Sequence, residues 1–249
     1  MDIGSIFLYV VGSIIAIALV VIFISAGIDA IRTYRLLKQT RTGEIGSVGS
    51  GLAKLKGKVI PLNALTSPLG NTDCVYYKFK VEYYARRKRR YEWITALEET
   101  KASPFLVDDG TGRLFIDPEG LGMDVSWELT TETKMEVESK DLPESAVKFL
   151  KRHDLTGRNL YRLKETILKG GSVVSILGVV EPATGKDYKV SIVANRKNGP
   201  CCVISDMDEA ALRRSKIIQG VGLLVFGVAI AVIALIVLYN KIATRFLPH

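Results

Sequence analysis

Histidine and cysteine are scarce in this chain, and two long stretches have no charge at all. His153 and His249 are the only histidines; Cys74, Cys201 and Cys202 are the only cysteines. Zinc needs clustered thiolates and imidazoles, and these few are scattered. His153 falls near the end of an expected helix, where a cation suits the helix dipole, and has no partner group in the pattern. Cys74 stands at the start of an expected strand without a base beside it, which reads as a small buried residue and not a nucleophile. Cys201 and Cys202 are adjacent, so their side chains point to opposite sides of a strand and cannot share one tetrahedral ion. An odd cysteine number without spaced pairs suits a reducing compartment.

Other chemistry is missing too. Asp108, Asp109 and Asp117 lack the spacing of a calcium loop, so a hairpin turn is the plainer reading. "KGGSVVSILG" has glycines but neither the lysine-hydroxyl pair of a P-loop nor a following helix. It reads as a turn into a barrel strand. The pattern offers no catalytic residue, no metal ligand set and no cofactor site.

Charge is absent from Ile3 to Ile28, 26 residues, and from Ile217 to Tyr239, 23 residues. About 20 apolar residues in a helix cross a bilayer core, so both stretches are long enough. A cleaved signal peptide would need a basic start and a shorter apolar run; here the start carries Asp2 and no cation. The expected organisation is a membrane helix at 3–28, a juxtamembrane helix and linker at 29–53, and a β-rich domain at 54–205. A juxtamembrane helix at 206–216, a second membrane helix at 217–239 and a tail at 240–249 complete it.

Only Asp2, Lys241 and Arg245 carry charge outside residues 29–216, a sum of +1, so +7 of the chain's +8 lies in the middle. Arg32, Arg35, Lys38 and Arg41 follow the first span, and Arg213, Arg214 and Lys216 precede the second. The positive-inside rule then places the middle domain in the cytoplasm and both termini outside.

The middle reads as α+β. "RTGEIGSVGSG" suggests a flexible linker or sharp loop. In "SPLGNTDCVYYKFKVEYY" the alternation puts Val75, Tyr77, Phe79, Val81 and Tyr83 on one face, and Tyr76, Lys78, Lys80, Glu82 and Tyr84 on the other. Tyr91, Trp93, Thr95 and Leu97 alternate again, so 74–99 reads as a long hairpin. "PFLVDDGTGRLFIDPEGL" is a tighter one, with Phe105 and Val107 against Leu114 and Ile116. One internal helix begins near Leu142, with Asp141 as its N-cap, Pro143 in its first turn and Gly157 beyond its end. Ser205 or Asp206 is placed to cap the last helix. About ten short strands of this kind suggest one or two small barrels.

Several phrases in order carry a resemblance: "SPLGNTDCVYYKFKVEYY", a Trp-containing strand, "PFLVDDGTGRLFIDPEGL", "RLKETILKGGSVVSILGVV", and "CCVISDMDEAALRRSKIIQGVG" entering a span. Over about residues 45–225 the chain resembles the GIDE family, whose best-known members are mitochondrial membrane-anchored ubiquitin ligases. Their middle region, between two membrane helices, has been called the "beside a membrane" domain. The resemblance implies that same module here, in a prokaryotic-type member. It does not bring ubiquitin-ligase chemistry. Those ligases end in a zinc-binding RING, whereas ten residues, "NKIATRFLPH", follow this second span, with one histidine among them. The resemblance also implies the opposite sidedness, because the matching mitochondrial domain faces the intermembrane space.

What remains is "EYYARRKRRYEW". Arg86, Arg87, Lys88, Arg89 and Arg90 stand in a row, flanked by Tyr84, Tyr91 and Trp93. A solvated hairpin tip is the plain reading. Anionic lipid is the functional one: each Lys or Arg near a cytoplasmic leaflet is attracted by about 1 kcal/mol, and Tyr and Trp favour the interface. Single-stranded nucleic acid is disfavoured, because the alternation assigns several of the rings to the core. In the spans, Gly12 with Ala16 and Gly227 with Ala231 have the spacing of helix-packing pairs and leave a homo-oligomer open. The expected function is a non-enzymatic membrane-anchored adaptor or scaffold, binding a protein partner and anionic lipid at the membrane surface. An enzyme or protease-associated regulator of membrane proteins or lipids is the second reading. A homo-oligomeric structural membrane assembly is the third.

Overall fold

A computed structural model of the chain describes residues 3–122, 125–183, 188–193 and 202–246. The protein divides into two compact units: residues 40–208, and a helical unit of residues 1–39 with 209–249.

The helical unit is α1 (Ile3–Gln39) and α4 (Glu209–Phe246). Both are long and apolar enough to cross a membrane. They run antiparallel and pack through glycine. A Cβ on Gly220 would lie 2.8 Å from Ile31 Cγ1, and one on Gly27 would lie 2.8 Å from Leu224 Cγ. Phe23 meets Phe226 edge-on, with ring centres 4.9 Å apart. Between helices in lipid, packing replaces the hydrophobic effect, and small residues permit the close approach. Gly227 therefore faces Phe23 and Ile24 of its own chain, while Gly12 has open space around it.

Among the described residues the β-rich unit holds thirteen strands and two further α-helices. In chain order the strands are β1 (Thr42–Gly43), β2 (Gly51–Pro61), β3 (Leu65–Thr66), β4 (Asp73–Arg87), β5 (Arg90–Ala102), β6 (Phe105–Asp108) and β7 (Arg113–Ile116). There follow β8 (Val125–Glu128), β9 (Glu132–Glu138), β10 (Leu160–Lys169), β11 (Val173–Pro182), β12 (Val190–Val193) and β13 (Cys202–Ser205). The helices are α2 (Pro118–Leu121) and α3 (Glu144–Arg152).

One sheet closes on itself. Following the ladder through β2, β6, β7, β12 and β11 returns to β2, which makes a small barrel; β1 lies beside β2, and β13 and β8 extend from β11. Leu55, Val59, Phe105, Val107, Leu114, Ile116, Val174 and Ile176 fill it. The tight hairpin has the expected register, with Phe105 opposite Ile116 and Val107 opposite Leu114. "RTGEIGSVGSG" is no free linker: Ile45 is buried in the barrel core, and its amide donates to Asp109 Oδ2 at 2.7 Å. An apolar side chain in that glycine-rich stretch is what anchors it.

The second sheet is open, in the order β5-β4-β10-β9, with β3 also against β4. It is a half-barrel with α3 on one face. Ala146, Phe149 and Leu150 of α3 pack on Phe79, Val81, Tyr161 and Leu163. Burying Phe149 and Leu150 stabilises this contact by about 2–3 kcal/mol each. The α3 N-cap is Pro143, without a side-chain bond; Asp141 sits one turn earlier, in a 3-10 segment. Proline fixes the extended entry, so the helix starts later than the polar pattern suggests. Asp206 does not serve α4 either. It accepts bonds from the Thr130 amide and hydroxyl and from the Thr131 hydroxyl, tying down the β8–β9 loop.

Two β-bulges decide which side chains face where. In the β4–β10 ladder Leu168 opposes Tyr76 and Lys169 opposes Cys74, so Val75 is the extra residue. Val75 and Tyr76 both enter the barrel core, whereas Tyr77, Phe79 and Val81 face α3. Alternation alone puts Val75 with Tyr77. In the β4–β5 ladder Val81 opposes Leu97 and Glu82 opposes Thr95, so Ala96 is extra. Trp93 thereby moves to the face away from Leu97. A bulge puts two residues against one, and every side chain beyond it changes face relative to strict alternation.

Candidate lipid- and anion-binding face

The long hairpin β4–β5 carries the site. Its turn is the two residues Lys88 and Arg89, with Arg87 opposite Arg90. Lys88 takes a φ of +56°, which L residues seldom adopt. The tip encloses a recess of about 610 Å³ lined by Arg87, Lys88, Arg89, Arg90 and Glu92. Arg87 Nε lies 3.8 Å from Glu92 Oε1 with both side chains largely exposed, so one acid stands against five cations.

The bulge at Ala96 brings the expected aromatics together. Tyr84 pairs with Trp93 and Arg86 with Tyr91 across the ladder, so all four occupy the face away from α3. Tyr84 and Tyr91 stack with ring centres 5.6 Å apart, and Tyr84 meets Trp93 at 5.2 Å. Tyr91 is 62% exposed and Tyr84 41%. The three rings and Arg86 thus share one face, next to the turn that carries Arg87, Lys88, Arg89 and Arg90. Tyr83 lies on the other face, with the Arg158 guanidinium 4.5 Å from its ring centre.

Residues the sequence did not single out complete this face. Arg162, from β10, lies over the Trp93 ring at 4.0 Å and binds Glu136 Oε1 through Nε at 2.7 Å. Glu82, beneath it, is 8% exposed and faces three cations: Lys80 Nζ at 3.1 Å, Lys164 Nζ at 3.4 Å and Arg162 Nη1 at 3.8 Å. Burial pushes the Glu82 carboxyl up, but the lysine ammoniums outweigh it and hold it below the usual range. No local pattern reveals these contacts, because Arg162 and Lys164 lie about eighty residues downstream in the chain.

Under the α3 face lies a second polar group. Tyr77 donates to Glu99 Oε1 at 2.5 Å, Lys101 Nζ lies 3.1 Å from the same oxygen, and His153 Nε2 is 3.5 Å from Glu99 Oε2. His153 caps the end of α3 as expected, but it has a partner after all. Burial, then the Glu99 contact, raises the Tyr77 phenol. For Glu99 burial acts upward, yet the Tyr77 and Lys101 bonds prevail and its carboxyl is lowered. This cluster joins α3 to β5.

The remaining polar residues have structural duties. Glu165 is buried and accepts the Leu69 and Gly70 amides at 2.7 and 3.1 Å, fixing the "SPLGNT" loop. Asp108 binds the Gly110 amide and Arg113; Asp109 closes the turn through Thr111 and Gly112; Asp117 caps α2. Among the described residues no group of three or more His, Cys, Asp or Glu could hold a metal ion. Cys74 is fully buried, and burial first, then the Glu165 and Asp73 charges, push its thiol up to about 11. Cys202 is buried as well, while Cys201 and His249 lie outside the described residues.

Neither a curated protein nor a solved structure matches the chain. The family model GIDE, described as E3 Ubiquitin ligase, matches residues 77–238, from the middle of β4 into the second apolar helix. A match over more than half of the chain, taking in most of the long hairpin and of both cores, places this protein in the GIDE family.

Proposed function

We propose that this protein is a membrane-anchored, non-enzymatic adaptor whose β-rich unit binds anionic lipid headgroups through the β4–β5 hairpin and holds a protein partner at the membrane surface. One observation carries this reading: five cations crowd the hairpin tip, and Arg86 shares one face with the adjoining exposed rings of Tyr84 and Tyr91. Each cation near an anionic surface gains about 1 kcal/mol, and Tyr and Trp rings favour the headgroup region. The chain of the β-rich unit runs directly into an apolar helix at both ends, which would tether the unit to a bilayer. The cation flanks of the spans favour the cytoplasmic side for this unit. The adaptor reading is favoured over catalysis because the polar clusters on both faces of the open sheet are engaged between elements, Glu82 with Lys164 and Arg162, Glu99 with Tyr77 and His153.

The test uses the full chain in nanodiscs with brominated lipid. The difference in fluorescence quenching between the parent and Trp93→Phe isolates the Trp93 indole. That difference is expected to be larger in anionic than in neutral lipid, and to fall to the neutral level when Arg86, Arg87, Lys88, Arg89 and Arg90 are all replaced by Gln. Equal quenching in the two lipids rules out the lipid role.

A further inference from the structure

The open sheet has two unpaired edges. Among the described residues β5 pairs only with β4, and β9 only with β10. Exposed edges of this kind offer their N–H and C=O groups to another strand. We infer that these two edges are complementary, and that β9 of one copy of this chain pairs antiparallel with β5 of a second copy.

The strand directions allow it. All three ladders of the sheet are antiparallel, so β9 runs opposite to β5. Adding a second copy's β5 beside β9 therefore continues the antiparallel order with α3 on the same side.

The register supports it row by row. Tracing one row across the ladders links Leu97, Val81, Leu163 and Met135; the next inward-facing row links Ile94, Tyr83, Tyr161 and Val137. A second copy set in line thus brings Leu97 against Met135 and Ile94 against Val137, apolar on apolar, on the α3 side. On the outer face one row reads Glu98, Lys80, Lys164, Lys134. Its acid stands at the β5 end and its lysines run to the β9 end. Lys134 is half exposed and reaches Glu136 only at 3.7 Å. Head-to-tail addition sets Glu98 of the second copy beside Lys134, and opposite charges directly across a ladder attract. β9 meets the bulge at Ala96 as β4 does, with Glu136 and Met135 in the rows of Thr95 and Leu97. A two-fold pairing of β5 with β5, or β9 with β9, loses this match of acid to lysine. The contact is therefore heterologous, and each pair of copies keeps one free β5 and one free β9. It does not depend on the lipid-binding reading, because the basic tip takes no part in the matched rows.

Two differently tagged full-length chains test the inference, one carrying Lys134→Cys and the other Glu98→Cys. Within one chain these positions are three strand spacings apart, about 14 Å, so a disulfide between them is intermolecular. Mild oxidation of the mixture in detergent or nanodiscs should give a dimer carrying both tags. Each variant alone, and the parent with its native cysteines, should give no more than background. Lys134→Glu or Glu98→Lys should each weaken the association seen by native mass spectrometry roughly threefold, and the double reversal should restore it. Both positions are exposed, so folding is checked by an unchanged melting curve. Absence of the mixed disulfide in folded protein overturns the inference, as do homodimers of either variant exceeding the mixed product, or a double reversal no better than the singles.

Discussion

The guanidinium of Arg162 lies 4.0 Å from the centre of the Trp93 ring, although the two residues come from strands that do not touch in the ladder. β4 lies between them. The contact passes over Glu82, so one arginine covers an indole, faces a buried carboxylate and binds Glu136.

Arg162→Ala should therefore lose roughly 2 kcal/mol of stability, from a cation–π contact and charge-assisted bonds together. Arg162→Lys should lose nearly as much, since an ammonium does not reproduce the planar fork. Urea unfolding followed by tryptophan fluorescence measures both; a Lys variant equal to the parent contradicts the stacking role.

Acid should weaken the open sheet. Glu82, Glu98 and Glu99 all have carboxyl groups held below their ordinary 4.5 in the folded protein. Their contribution is fully present above the unfolded value and is lost as pH falls through the lower folded values. The melting temperature should hold steady from pH 7 to about 5 and drop below about 4.5. Glu99→Gln should lower stability at pH 7 and flatten the acid limb of that curve.

Gly57 in β2 lies against β6, where an added Cβ would stand 2.7 Å from both the Asp108 carbonyl oxygen and Val107 Cγ1. Gly57→Ala should cost about 2–3 kcal/mol, because one contact is backbone and the barrel is closed. A chemical denaturation midpoint unchanged by this substitution is the contrary result.

Cys74 should resist alkylation. With its thiol raised to about 11 and its side chain fully buried, native protein at pH 7.5 should leave it unlabelled by iodoacetamide over an hour. Denatured protein should label fully. Mass spectrometry of the peptide reads the difference, and rapid native labelling would show an open path to the sulfur.

Much of the architecture is legible from local pattern. The spans stand out because a bilayer penalises charge. Both hairpins are visible because turn residues break regular alternation, and the order of several phrases carries the family. The candidate face is half legible. The cation run names its tip, and Tyr84 follows from alternation, but Trp93 is assigned to the side of Leu97. Glu82, Arg162 and Lys164 carry no local mark, since β4 and β10 lie far apart in the chain and meet only in the folded sheet.

The amino-acid sequence by itself determined where the apolar runs lie, that a strand-rich body lies between them, and where the positive charge gathers, since each depends on composition or on neighbours along the chain. The tertiary structure decided that Val75 joins the barrel core, that Trp93 turns outward to meet Tyr84, and which carboxylates face which cations. A bulge belongs to a pair of strands and not to either one, and an ion pair across a sheet depends on register, so neither is written in the residues next to it.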